Sequence, residues 1–141
     1  MIEFSVKECF FDRAAVKNAT DRATLSVLSK IGAYIRQAAR SSIRSRKAIS
    51  KPGSPPSSHE GSLKRLIFFS YDPAARSVVI GPVPLHGVAE APPLLEFGGT
   101  ARRVRRGKAR TVNYRPRPFM APAMQQELPK LPSMWANSVR A

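Results

Sequence analysis

Two histidines, one cysteine and nine carboxylates are the residues of this chain that could carry acid–base, nucleophilic or metal chemistry. His59 sits in a Pro/Ser-rich stretch and His86 in a loop segment, and neither has a cysteine or a second histidine at ligand spacing. Both read as surface histidines. Cys9 has no motif around it and reads as a small hydrophobe. Glu90 and Glu96 are the only acids between Asp72 and Glu127, so a paired-carboxylate site would have to recruit distant residues. A nuclease needs several acids to hold Mg²⁺ through oxygen. The phosphate-cradling GxxxxGK pattern is missing, and Gly98-Gly99-Thr100 is too short to replace it. The expectation is a protein that is not an enzyme and uses no cofactor and no metal.

The cations are different. Lys and Arg number 24 against 9 acids, a formal charge of +15. Such a field favours a polyanion, either nucleic acid or an acidic protein surface. The densest run is 100–117, where Arg102, Arg103, Arg105, Arg106, Lys108, Arg110, Arg115 and Arg117 put eight cations in eighteen residues. Val104 and the stretch 111–114 have strand character, and Gly107 lies between them, so a hairpin or arm with a basic tip is expected. Tyr114 could stack on a base. No helix-turn-helix, zinc finger or RNP-type aromatic pair fits these residues, so backbone contact is expected rather than base readout.

The elements that must position this arm follow from periodicity. Ile2, Phe4 and Val6 alternate with polar residues, a strand pattern. Asp12 suits an N-cap for a helix from 13 to about 43. Val16, Ala19, Ala23, Val27, Ile31, Ile35, Ala38 and Ala39 form its apolar stripe, with Gly32 in mid-pattern. Arg36, Arg40 and Arg44 line a second, basic face, either a solvated flank or a partner-facing stripe. The segment 45–61 holds three prolines, two glycines and five serines and reads as a mobile loop. Strands at 66–71 and 77–80 flank a turn at 72–76, giving a hairpin ended by Gly81-Pro82. A short helix over 89–97 stops at Gly98-Gly99. A last helix from about 121 to 139 should kink or break near Pro129 and Pro132.

Length fits one domain over 1–141, of α+β class: a small antiparallel sheet packed against a long N-terminal helix and a C-terminal helix, with a long Pro/Ser-rich loop and a basic β-arm. No apolar run approaches a membrane span, and the first residues lack the pattern of a signal peptide. With a single cysteine, no internal disulfide is possible. A soluble protein made in the cytosol is expected.

Four pieces in order carry a resemblance: KPGSPPSSHEGSLKR at 51–65, VVIGP at 78–82, LEFGG at 95–99 and RPFMAPA at 117–123. Together they resemble the neck and tail-completion proteins of long-tailed bacteriophages, the head–tail joining family. Its pattern is matched at Gly61/Leu63, Ile80/Gly81, Glu96/Phe97/Gly98 and Arg117/Pro118/Phe119, over about 12–138. The basic arm at 102–110 and the two prolines of the last helix depart from the commoner members.

The resemblance implies a structural virion protein at the head–tail junction, in the host cytoplasm during assembly. It implies a homo-oligomeric ring, a hexamer as first choice and a dodecamer as second. Its neighbours would be connector or head-completion proteins and tail terminator or tail tube proteins, with DNA passing through the lumen without sequence specificity and no membrane. The alternative is a non-specific nucleic-acid-binding module that uses the basic arm. Interface candidates are Glu96, Phe97, the arm cations, Arg117, Phe119 and Trp135. Glu96 has two readings: a local cap or ion pair with Arg117, or a pair with an arginine of the next subunit. Phe97 and Phe119 read as core anchors rather than interface knobs, and Trp135 as a subunit contact.

Overall fold

A computed structural model describes residues 12–83 and 91–139, with Arg105 described at the backbone only. The strand expected at 2–6, Cys9, His86 and Glu90 lie outside the described residues.

Helix α1 (Arg13–Ser42) is the backbone of the fold. It begins where Asp12 Oδ1 accepts the Ala15 N–H at 2.8 Å, satisfying one of the donors a helix start leaves open. Its buried side is the stripe read from the sequence, from Ala19 through Val27, Ile31 and Ile35 to Ala39. Val16 departs from it: one turn from the helix start, it is exposed at the edge of a hollow that it lines with Ala19 and Val139.

The chain leaves α1 through the buried Ile43 into 45–61. Strand β1 (Arg44–Ser45) pairs in parallel with β2 (Ser57–Ser58), closing the Pro/Ser-rich segment into a loop. Pro56 and Ser58 are buried, and Arg46 Nε donates to Ser57 Oγ at 2.9 Å. A short helix, α2 (Ser62–Arg65), follows.

Strands β3 (Ile67–Asp72) and β4 (Ser77–Pro82) form an antiparallel hairpin with Phe69 opposite Ile80 and Tyr71 opposite Val78. Alternation turns Ile67, Phe69 and Ile80 inward and leaves Phe68 and Val79 exposed. Asp72 Oδ1 accepts from the N–H groups of Ala74 and Ala75, which holds the turn. Gly32 lets this hairpin lie on α1, since a Cβ there would fall 2.6 Å from Phe69 Cδ2 and 2.9 Å from Val78 Cγ2. Arg36 is committed to the same contact: its Nε donates to the Ile67 carbonyl at 2.7 Å and its guanidinium lies 5.8 Å from the Phe68 ring centre.

Helix α3 (Ala91–Phe97) leads into β5 (Gly99–Arg105) and β6 (Lys108–Tyr114), the arm. Helix α4 (Met120–Glu127), a single 3₁₀ turn (Leu128–Lys130) and α5 (Leu131–Trp135) complete the chain. Pro129 and Pro132 each sit at the start of a new turn, where a missing N–H costs nothing, so the expected break occurs. The core gathers Val27, Ile31, Ile35, Ile43, Ile67, Phe119 and Ala123, with Leu95, Met120, Leu131 and Met134 packed against it. The molecule is α+β, with α1 covered by the β3–β4 hairpin and by α4; the strands are three separate pairs rather than one sheet.

Candidate functional site

The arm is a regular two-stranded ladder running from Gly99 opposite Tyr114 to Arg105 opposite Lys108. Arg106 (φ 50°) and Gly107 (φ 76°) make its two-residue turn, and two successive positive φ values match the right-handed twist of the strands. Seven residues at about 3.3 Å each carry the tip roughly 23 Å from its base. Beyond its base the ladder has no substantial packing on the rest of the described chain.

The register sorts the side chains. Arg103 lies directly opposite Arg110, and these two, with Arg106, Lys108 and Val112, line an open hollow of about 530 Å³ on one face. Arg102 falls on the other face, paired with Thr111, beside the Val104–Ala109 pair and the Thr100–Asn113 pair. Like charges placed directly across a ladder repel. Among the described residues no acid relieves them: the ion pairs there are Lys17–Asp21, Arg76–Asp21 and Lys130–Glu127, none of which involves the arm. From 97 to 126 the sequence holds no acid at all.

The base of the arm is built with more care than its tip. Glu96, the last acid before the arm, sends its carboxylate across to the start of α4. One oxygen accepts the N–H groups of Phe119 (2.9 Å) and Met120 (3.1 Å), and the other accepts that of Ala121 (2.8 Å). The next residue, Pro122, has no N–H, so the donors at this helix end are fully accounted for. A negative charge here also opposes the positive end of the helix dipole. The Arg117 N–H donates to the Leu95 carbonyl at 2.6 Å and the Gly98 N–H to the Leu94 carbonyl at 3.0 Å. Gly98 has φ 74°, and a Cβ on it would sit 2.9 Å from the Tyr114 carbonyl oxygen. Only glycine fits both demands.

These contacts decide between two readings and correct one expectation. Of the local readings of Glu96, the cap holds and the ion pair does not: Glu96 does not pair with Arg117. Its carboxylate is taken by backbone donors, while Arg117 donates from Nε to the Ser50 carbonyl (3.0 Å) and from a terminal nitrogen to the Arg115 carbonyl (3.3 Å). Nor is Phe97 a core anchor: it is 80 % exposed, whereas Phe119 is 1 % exposed at the centre of the core. Phe97 is the last residue of α3, and turning Glu96 toward α4 leaves its neighbour facing out, beside a hollow lined by Pro92, Pro93 and Met120. Trp135 is 42 % exposed.

The 45–61 segment takes part in the same base. Besides Ser50, the Gly53 N–H donates to the Pro116 carbonyl at 2.9 Å. Sequence reasoning missed this seam. Its only sequence signal is the paired LEFGG and RPF motifs at the two ends of the arm, which the fold brings together. His59 is exposed, and no cluster of three His, Cys, Asp or Glu residues occurs among the described residues. The chain matches no protein-family model, no curated protein and no solved structure to which it was compared.

Proposed function

We propose that this chain is a structural subunit of the head–tail junction of a long-tailed bacteriophage, assembling as a ring that joins the capsid connector to the tail and lets DNA pass. The observation that carries the reading is the arm: a two-stranded ribbon anchored by a dedicated clamp and carrying away from the body cations that have no ion pair among the described residues. An isolated hairpin is marginal in water, so a ribbon of this length has its use against a partner. A ring supplies one at every position, because each protruding element can lie across the next subunit. The family-like motifs support the same reading, since Glu96 of one and Phe119 of the other meet in the clamp.

The roles divide by region. The clamp of Glu96, Arg117 and Phe119 aims the arm; the exposed Phe97 and Trp135 offer apolar contacts to neighbouring subunits. The arm cations face the DNA in the channel or acidic surfaces of the adjoining ring. The alternative, a nucleic-acid-binding module with no virion role, draws on the same cationic face. Mass photometry of the purified chain, alone and with connector and tail components, separates the two. A closed ring of six or twelve subunits forming with those components supports the junction reading. A monomer that shifts only on adding DNA overturns it in favour of the module.

A further inference from the structure

We infer that the arm is two-sided in function: the face bearing Arg103, Arg106, Lys108 and Arg110 grips the phosphate backbone of double-stranded DNA, and the face bearing Arg102 does not. This deepens the junction reading by naming the arm's partner and the surface that meets it.

Three features of the face point to phosphate rather than to an acidic protein. It has no apolar centre: its apolar residues are Val112 and, across the ladder from it, Ala101, toward the base of the arm rather than among the cations. Protein interfaces are instead organised around buried aromatic or aliphatic anchors. Three of its four cations are arginines, whose planar fork takes two phosphate oxygens at once. Its charge is also uninterrupted, with Arg103 directly opposite Arg110 and no acid between residues 97 and 126. That arrangement is unfavourable until a polyanion neutralises it, so ligand binding relieves a repulsion present in the free chain.

The dimensions agree. Alternate residues on one side of a strand are about 6.8 Å apart, and the two strands are separated by about 4.8 Å. A ribbon of that width fits the roughly 12 Å major groove or lies along its edge. The opposite face, with Thr100, Val104, Ala109, Thr111 and Asn113 around a single Arg102, has little to offer a phosphate. Arg-rich contact of this kind positions DNA without reading sequence.

The test is fluorescence anisotropy of the full chain with a labelled mixed-sequence duplex over a salt series. The wild type is compared with Arg103→Ala/Lys108→Ala/Arg110→Ala and with Arg102→Ala. Each phosphate contact contributes about 0.9 to the slope of log K against log salt, so the triple variant should lose about 2.7 from it and bind at least about tenfold more weakly. Arg102→Ala should keep the wild-type slope. Equal slope losses in both variants, or an unchanged slope in the triple variant, overturn the inference. So does equal competition by an acidic peptide of matched charge, which would make the partner a protein surface. All the substituted side chains are exposed, so circular dichroism melts should coincide with wild type and exclude a folding defect. Ring formation by the triple variant is scored separately: a ring with unaltered DNA binding defeats this inference alone, and face-specific DNA binding without a ring defeats the junction reading alone.

Discussion

Two antiparallel hairpins of nearly equal size, β3–β4 and β5–β6, meet opposite fates in this molecule. The first carries apolar runs at Ile67–Phe69 and Val78–Ile80, and lays Ile67, Phe69 and Ile80 against α1, where Gly32 makes room, while Phe68 and Val79 stay exposed. The second has the same ladder and a better turn, yet has no apolar face to bury and stands out from the body. Backbone pairing is common to both, so it does not decide which hairpin packs. Side-chain burial decides it. The arm therefore depends on its base for direction, and that base is a polar device rather than a hydrophobic one.

The contrast can be broken first at the point where both halves meet. Phe119 is the residue on which the clamp rests and one of the largest wholly buried side chains. Phe119→Ala should cost about 3–5 kcal/mol in chemical denaturation, enough to leave the chain largely unfolded near body temperature. Next, Gly32→Val should prise the packed hairpin from α1 at a cost of about 2–3 kcal/mol. A melting temperature equal to wild type would mean that the close approach of Phe69 to α1 carries no weight.

The clamp itself should matter less. Glu96→Ala leaves three N–H groups at the start of α4 without their acceptor and should cost about 1–2 kcal/mol. Glu96→Gln, which keeps one acceptor oxygen, should recover part of that. If Glu96→Ala were as stable as wild type, the polar base of the arm would have no structural role.

A smaller effect is expected at Asp21, which receives Lys17 and Arg76 and so links α1 to the turn of the packed hairpin. The hydrogen bond from Lys17 holds its carboxyl below the usual value, with the charges of Lys17 and Arg76 adding and partial desolvation opposing. A lowered folded value means that the contribution is present above about pH 4 and is lost as pH falls through the folded value. Asp21→Asn should therefore lower the melting temperature slightly at neutral pH and flatten the acid-side loss. The smallest change of all is predicted for replacing 101–112 with a short turn: the melting temperature should move by no more than about 2 °C, because the removed residues bury almost nothing in the body. A larger fall would mean that the arm supports the fold that carries it.

Much of the fold could be read from residues close together in the chain. The α1 stripe, its Asp12 cap, both hairpins, the stop at Gly98 and the break at Pro129 and Pro132 are all consequences of local pattern, turn chemistry and missing donors. The arm and its charge were visible for the same reason. What local pattern did not contain is the seam at the arm's base. Glu96 meets its partners 23 to 25 residues away and Arg117 meets Ser50 at a distance of 67 residues. An apolar setting of two leucines and a phenylalanine does not say whether a glutamate takes an arginine or three backbone donors.

The sequence alone therefore determined which segments become helix or ribbon and where charge accumulates, since those depend on periods of two and 3.6 residues and on composition. Only the tertiary structure decided that Glu96 would cap α4, that Phe97 would face outward while Phe119 went inward, and that Arg103 would share a face with Arg110 and not with Arg102. The physical reason is the same in each case: a side chain's partner is fixed by which backbone groups lie unsatisfied within about 3 Å of it, and by the register of the strand opposite.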